Sequence, residues 1–394
     1  MPYSDALARS SASDGVVLLK NDGTLPLKIE FNRNQTVALI GMWVNDTASR
    51  MLGNYYGRPP VYHTPFYAAQ QLGLQVIMTD GPVNKTDNFS AALAAAKLSD
   101  IILYFGGIDT SIESEDRDRI SIAWPDAQLT LLRELSALNK TIVVVQLGTQ
   151  VDNTPLLSNR NINSILWTGY PGMHGGPAVF DIITGAKAPA ARLPITQYPA
   201  SYVNEVAMTD MSLRPSAKNP GRTYKWFSDA VQEFGFGLHY TNFSVKFGPP
   251  YGNIQDMKHN PPVFQIDEIL KGCKETYLDL CPFPSFPVVV MNTGTVTSDF
   301  VLLGFLSTKQ GPAPHPLKEL AFYKRIRDIK GREMRNTELK LTLGDFSRVD
   351  ESGNTVLFEG AYCLGLDVPE QARLCFEVLG GDRVLDVWPQ PKGK

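Results

Sequence analysis

The sequence predicts an α/β unit built on a mostly parallel sheet, followed by an all-β sandwich. From about Val37 to Gly185, short continuous apolar runs rich in β-branched residues alternate with helical segments. Strand, helix, strand in series gives a parallel sheet covered by helices on both faces. From Phe286 onward, short alternating segments are separated by turn residues, the spacing of an antiparallel β-sandwich of roughly 100 residues. At 394 residues the chain is too long for one typical core and should divide into domains. The expected division is an α/β domain over 1–210, a connecting segment over 211–262, and the all-β domain over 263–394.

Val37 to Ile40, Gln75 to Met78, Ile101 to Phe105, Ile142 to Gln146 and Ile165 to Trp167 read as buried strands. Between them, Asn88 to Leu98 is an Ala-rich helix candidate. Pro125 to Leu138 opens with proline at the first helical position and places Leu131, Leu135 and Leu138 on one face. Val179 to Ile183 ends at Thr184-Gly185, a normal helix stop. Tyr198 to about Pro284 is rich in Pro, Gly, Asn and aromatic residues with little periodicity, as in a long connection packed on its neighbours. The later strands are expected at Phe286 to Met291, Phe300 to Leu306, Glu338 to Leu343, Ala361 to Leu366 and Arg373 to Val378. Asn292-Thr293-Gly294, Asp350 to Asn354 and Gly380-Gly381-Asp382 serve as turns.

The formal net charge is -3, and no long Lys/Arg cluster occurs. Neither feature gives an electrostatic reason to expect a nucleic acid or a membrane surface as partner. No apolar run approaches the ~20 residues of a membrane helix. Cys273, Cys281, Cys363 and Cys375 form two closely spaced pairs, which suits local disulfides in an oxidising compartment, with four core thiols as the alternative. Sequons at Asn34, Asn45, Asn84, Asn88, Asn139 and Asn242 also suit a secreted, glycosylated surface. The start of the chain has no basic n-region or apolar h-region. The expectation is therefore an extracellular parent protein whose signal is not carried here.

The best candidate for chemistry follows the apolar run Ile101 to Phe105. Gly106-Gly107 turns the chain into Ile108-Asp109-Thr110-Ser111-Ile112-Glu113-Ser114-Glu115-Asp116-Arg117-Asp118-Arg119. A strand emptying into a glycine turn and a titratable loop lies where open α/β sheets bind ligands. Glu113 and Glu115 are two residues apart, so in an extended loop they point to opposite sides, and only one should face a ligand. The other can pair with Arg117 or Arg119. A general acid needs a carboxyl whose pKa is raised, whereas an arginine partner lowers it. The alternative is a solvated charged loop.

Other motifs are weaker. There is no Gly-x-Ser-x-Gly elbow, and His63, His174, His239, His259 and His315 show no spacing of a triad or metal site; each reads as structural. Val37 to Gly41 is followed by Met42-Trp43-Val44 without a dinucleotide fingerprint or a P-loop lysine. No cofactor or metal is expected. Trp167 to Ala178 could cradle a phosphate at a helix N-terminus, but its glycines are equally explained by a tight strand-to-helix turn, which is favoured.

In this order, several segments resemble the C-terminal two-thirds of glycoside hydrolase family 3, closest to the fungal β-xylosidase branch. They are Gly15 to Leu27, Gly53-Asn54-Tyr55-Tyr56-Gly57, Gly106 to Asp109 running into Glu113 to Arg119, and Gly169-Tyr170-Pro171-Gly172. Arg192-Leu193-Pro194, Gly221-Arg222-Thr223-Tyr224 and Phe234 to Thr241 follow. The resemblance covers nearly the whole chain, and its specificity lies in the collinear order. It implies an α/β sandwich followed by a fibronectin type III-like domain. It also implies that a preceding (β/α)-barrel carries the aspartate nucleophile, while a sandwich loop supplies the acid/base glutamate in a Glu-x-Glu-Gly-x-Asp-Arg pattern. That pattern falls on Glu113 to Arg119, so Glu115 takes the acid/base role, with Glu113 as runner-up and Arg117 and Arg119 supporting. Asp116 stands where the family has glycine, and Met173-His174 replaces its usual polar-acidic pair.

No barrel of some ~250 residues is expected in this sequence, so the nucleophile has no position in it. Retaining hydrolysis needs two carboxyl groups roughly 5 to 5.5 Å apart on opposite sides of the bond, and Glu113 and Glu115 lie in one loop. The leading expectation is a β-xylosidase acting on xylo-oligosaccharides or aryl xylosides, for which this chain supplies the acid/base half and a (β/α)-barrel outside it the rest. On that reading the chain alone is inactive. The alternative is a non-catalytic carbohydrate- or partner-binding remnant.

Overall fold

The computed structural model describes residues 2–28, 35–45, 50–82, 89–252 and 260–389. They form two compact units, one of Met1–Asp210 with Asp229–Tyr240 and one of Met211–Ser228 with Thr241–Lys394. The aperiodic stretch read as a connection is thus shared: 229–240 belongs to the first unit and its flanks to the second.

The first unit has strands β1 (Val17–Asn21), β2 (Thr36–Ile40), β3 (Gln75–Thr79), β4 (Ile101–Gly107), β5 (Thr141–Leu147) and β6 (Ser164–Gly169). Its main helices are α1 (Pro2–Asp14), α2 (Pro65–Gln71), α3 (Ser90–Leu98), α4 (Asp126–Ser136), α5 (Thr154–Leu157), α6 (Gly175–Ile183) and α7 (Tyr202–Glu205). The sheet order is β1-β6-β5-β4-β2-β3. All pairings are parallel except that of β1, which runs antiparallel to β6. The period of two along each strand divides the core. Val37, Leu39, Leu103, Phe105, Val143 and Val145 pack with α2 and α6 on one face. Ala38, Ile40, Ile102, Tyr104, Ile142 and Val144 pack with α3 and α4 on the other. Burial on both faces is why these strands read as unbroken apolar runs.

The second unit opens with α8 (Thr223–Trp226) and then β7 (Phe243–Phe247), β8 (Val263–Gln265), α9 (Ile266–Gly272), β9 (Phe286–Asn292), β10 (Ser298–Thr308), β11 (Glu319–Ile329) and β12 (Met334–Leu339). It closes with β13 (Arg348–Val349), β14 (Thr355–Leu357), β15 (Gly360–Leu366), β16 (Ala372–Leu379) and β17 (Arg383–Asp386). A five-stranded sheet β11-β10-β15-β16-β8 and a three-stranded sheet β12-β9-β7 share one core, with a smaller sheet β13-β14-β17 beside them. Phe286, Val288 and Val290 from one sheet meet Phe300, Leu302, Leu364 and Phe376 from the other, the inner faces of a sandwich.

The strand expected over Glu338 to Leu343 is displaced. β12 ends at Leu339, and Leu341 and Leu343 are buried beyond it where the chain enters a 3-10 turn. Cys273 pairs with Cys281 and Cys363 with Cys375, the second across directly opposed positions of β15 and β16. Asn45, Asn139 and Asn242 are exposed, whereas Asn34, Asn84, Asn88 and His259 lie outside the described residues. Among the described residues, no helix is long and apolar enough to cross a membrane.

Candidate active site

The order of the first sheet places its topological switch point between β2 and β4, because β3 lies outward of β2 while β5 and β6 extend the other way. Ligands of open α/β sheets bind beyond the carboxyl ends of the strands at such a point. Here the chain leaves β2 at Gly41 and β4 at Gly106-Gly107. Gly41 has φ +139°, and a Cβ there would sit 1.9 Å from the Phe105 carbonyl oxygen; Gly107 has φ +110°, and its Cβ would sit 2.2 Å from that of Leu147. Only glycine lets the two strands open side by side. Buried Gln128 of α4 fixes the end of β4, accepting from the Gly107 N–H at 2.9 Å and donating to the Gly107 carbonyl at 2.8 Å.

The acidic loop is pinned at its root by Asp109, which is 2% exposed. Its carboxylate binds Arg50 from the loop after β2 at 2.6 Å and accepts the Ser111 N–H at 2.9 Å. Its carbonyl receives the N–H groups of Ile112 and Glu113. Ser114 and Arg117 then exchange two backbone bonds, at 3.1 and 3.0 Å. A two-residue turn results, with Glu115 and Asp116 at its tip. Asp116 has φ +61°, a left-handed conformation that favours glycine and that aspartate is among the few side chains to tolerate.

The two glutamates have different surroundings. Glu113 is ion-paired with Arg119 and accepts the Thr149 hydroxyl at 2.7 Å, while Arg119 also holds the Gln150 carbonyl at 2.7 Å. Glu115 is exposed at the turn, and its carboxylate accepts the hydroxyl of Tyr55 from the loop after β2. Arg117 is exposed and donates to the Ser111 carbonyl at 2.6 Å, closing the loop on itself. Tyr170, at the end of β6, has its phenol pushed up to about 12 by burial and by the Glu113 and Asp109 carboxylates, with Arg119 opposing. It therefore stays a neutral hydrogen-bonding group beside them.

A family model for the glycosyl hydrolase family 3 C-terminal domain matches residues 16–240. The chain belongs to glycoside hydrolase family 3. A probable exo-1,4-β-xylosidase of Neosartorya fischeri is 46% identical over 401 residues, covering 99% of this chain and 50% of that protein. The exo-1,4-β-xylosidase of Aspergillus oryzae is 41% identical over 392 residues, covering 98% and 48%. A solved family 3 exo-β-xylosidase in complex with a xylobiose aziridine activity-based probe superposes with a TM-score of 0.88 at 38% identity, over 98% of this chain and 50% of that one. A β-glucosidase of Listeria innocua, at 18% identity and a TM-score of 0.75, shares the fold. The chain thus spans about half the length of the relatives it matches.

Within this family 3 domain, the structure brings Glu113, Glu115, Arg117 and Arg119 into one loop and divides their surroundings. Sequence reasoning missed Tyr55, Arg50, Thr149 and Tyr170. Tyr55 and Tyr170 lay in two of the quoted motifs, but nothing in their spacing ties them to the acidic loop. The glycines after β6 serve the turn and its packing: Gly172 has φ +74°, and a Cβ on Gly176 would lie 2.1 Å from the Thr64 carbonyl oxygen, as the tight strand-to-helix turn requires. His63 and His174, read as separate structural residues, meet Nδ1 to Nδ1 at 2.9 Å.

Proposed function

We propose that this chain provides the acid/base half of a retaining exo-β-xylosidase acting on xylo-oligosaccharides and aryl xylosides, with Glu115 as the acid/base residue. The observation that carries the reading is the division of the acidic loop. Glu113 is held by Arg119 and Thr149, whereas Glu115 stands exposed on a pinned turn and, among the described residues, its carboxylate meets the neutral Tyr55 hydroxyl and no cation. A carboxyl that must release a proton to a departing oxygen and later take one from water has to be free of a permanent cation. Tyr55 orients such a group through one hydrogen bond and brings no charge of its own. The similarity to exo-1,4-β-xylosidases supports the sugar class.

In this mechanism protonated Glu115 donates to the glycosidic oxygen while an aspartate of a (β/α)-barrel outside this chain attacks the anomeric carbon. Glu115, then ionised, takes a proton from the water that hydrolyses the glycosyl-enzyme. Ile120, 93% exposed, and Tyr55, 84% exposed, border the acidic turn as apolar surface of the kind a docking domain covers. The two disulfides and the exposed Asn45, Asn139 and Asn242 support an extracellular location for the parent protein.

The test combines the chain with a separately produced barrel domain and measures turnover of xylobiose and of an aryl xyloside. Glu115→Gln should lower turnover of xylobiose by roughly 10²- to 10⁴-fold, the usual range for a general acid, and that of an activated aryl xyloside less, since its leaving group needs less protonation. Unchanged xylobiose turnover in Glu115→Gln, with the loss found in Glu113→Gln instead, would move the role to Glu113.

A further inference from the structure

Two loops meet at the acidic turn, and a buried ion pair joins them away from it. The loop after β2 carries a 3-10 turn, Arg50–Leu52, and then Gly53 and Tyr55. The loop after β4 begins at Asp109 and carries Glu113 to Arg119. At the root of the two loops, Arg50 donates to Asp109 Oδ2 at 2.6 Å. Midway, Gly53 passes over the ring of Tyr170: its φ is +75°, and a Cβ there would sit 3.1 Å from the ring carbon Cγ. At the tip, the Tyr55 hydroxyl donates to the Glu115 carboxylate.

The root contact has the chemistry of a brace. Asp109 is 2% exposed and divides its oxygens between the loops: Oδ2 takes Arg50, while Oδ1 takes the Ser111 N–H at 2.9 Å and the Ser111 hydroxyl. Burying such a pair costs desolvation that the attraction scarcely repays, so it is a poor source of stability; breaking it is costly because a buried charge is then left unpaired, and that fixes one arrangement. A carboxylate accepts on both sides. An amide in its place has one acceptor oxygen and would turn its NH2 either to the Arg50 guanidinium or to Ser111, donor against donor. Tyr55 is 84% exposed, so burial does not hold its ring, and the place of its hydroxyl depends on where the root of its loop is fixed.

We propose that Arg50 and Asp109 are positioning residues for proton transfer, holding the two loops in the one relation in which the Tyr55 hydroxyl meets the Glu115 carboxylate. The proposal rests on the reading of Glu115 as the acid/base residue. Neither Arg50 nor Asp109 is itself the proton donor; both act through Tyr55. Misplacing a reacting group by about 1 Å costs on the order of 10²-fold in rate, and for a proton donor that cost falls on the leaving groups that need the proton.

The first test uses the chain alone. Amide hydrogen exchange followed by mass spectrometry should show Arg50→Gln speeding exchange over 50–57 and over 109–119 together; no change, or a change confined to one segment, would show that the pair does not couple the loops and would overturn the proposal. The second test adds the barrel domain and reads the ratio of kcat/KM for xylobiose to kcat/KM for an activated aryl xyloside. Taken within one variant, this ratio cancels any loss of folded protein, and a merely structural defect leaves it unchanged. Arg50→Gln and Asp109→Asn should each lower it about 10- to 100-fold, and Glu115→Gln should lower it further. Arg50→Gln added to Tyr55→Phe should lower it no more than Tyr55→Phe alone, as for residues that act as one unit. A ratio lowered by Glu115→Gln but untouched by Arg50→Gln and Asp109→Asn, or falls that add in the double variant, would overturn the proposal and leave Glu115 as acid/base residue. A ratio unchanged in Glu115→Gln would remove that reading and this proposal with it.

Discussion

His63 and His174 share one hydrogen bond between their Nδ1 atoms, and His174 Nε2 lies 2.9 Å from the Asp5 carboxylate of α1. A bond between two ring nitrogens holds a single proton, so the contact survives one added proton on the pair but not two. His63 also stacks on Tyr67 with ring centroids 4.3 Å apart. Arg9 and Asp181 complete the charges around the pair, themselves bonded at 2.9 Å. The His63 pKa lies below the ordinary 6.5, chiefly because burial disfavours the imidazolium and then because of His174, with Asp5 opposing and Arg9 adding. The unfolded chain therefore binds this proton at higher pH than the folded one. Its contribution to stability is complete above about 6.5 and declines as pH falls through the folded pKa. Denaturant unfolding from pH 5 to 8 should show stability falling on the acid side. His63→Phe keeps the stack but leaves the His174 Nδ1 without its partner, so it should be about 1–2 kcal/mol less stable near pH 7.5, with a shallower acid-side fall. An unchanged slope in the variant would assign the pH dependence elsewhere. At this scale sequence is only partly legible. The spacing of Glu113 and Glu115 suggests different surroundings for the two through alternation in an extended loop, but in the structure the difference comes from a turn that puts Glu115 at its tip. The histidine pair, 111 positions apart, and the partnership of Tyr55 with Glu115 depend on which loops the sheet order brings together.

Elements were legible where one force dominates. The parallel strands β2, β4, β5 and β6 are buried on both faces, so composition alone marks them, whereas β3, expected as a buried strand, is a half-exposed edge strand; α4 is marked by its leucine face and by Pro125, which caps it rather than opening its first turn. β1 has the same apolar character, but no periodicity distinguishes an antiparallel edge strand from a segment preceding the sheet. β11 was missed because its register is set by pairing with β10 while its sequence is dominated by Lys324, Arg325, Arg327 and Asp328; half-exposed edge strands carry charge as protection against aggregation. The acidic loop depends on one joint between elements, the Gln128 amide of α4 closed on both backbone groups of Gly107. Gln128→Leu would leave buried Gly107 groups without those partners, at roughly 1–3 kcal/mol for each unsatisfied group. Chemical denaturation should therefore show a loss of about 2–6 kcal/mol in the first unit. A loss below 0.5 kcal/mol, within the range of ordinary surface substitutions, would mean that the joint does not hold the loop.

At the scale of the molecule, the collinear order of motifs identified the family because each marks a separate turn or strand end, and many independent constraints in one order are specific where each alone is weak. The partition of 229–240 into the first unit was not legible, since it follows from long-range pairings such as Leu193 with Phe236 and Gln197 with Gln232. The two units also differ in what holds them. The first has apolar cores on both faces of its sheet, whereas the second adds both disulfides, Cys273–Cys281 and Cys363–Cys375, to its sandwich core. Their sequence separations are 8 and 12, and loops of that size restrict the unfolded chain by about 2.5–3 kcal/mol each. Cys375 is exposed, so a thiol reductant has direct access to one of them. For a unit of this size each kcal/mol moves the melting temperature by roughly 2–4 °C. Calorimetry with and without reductant should therefore show one transition lowered by on the order of 10 °C or more and the other fixed. Tryptophan signals assign them: Trp43, Trp124 and Trp167 are buried in the first unit, while half-buried Trp226 and Trp388, 61% exposed, belong to the second. Near-ultraviolet circular dichroism dominated by the three buried indoles should follow the reductant-insensitive transition. Displacement of both transitions together would show instead that the two units unfold as one cooperative body.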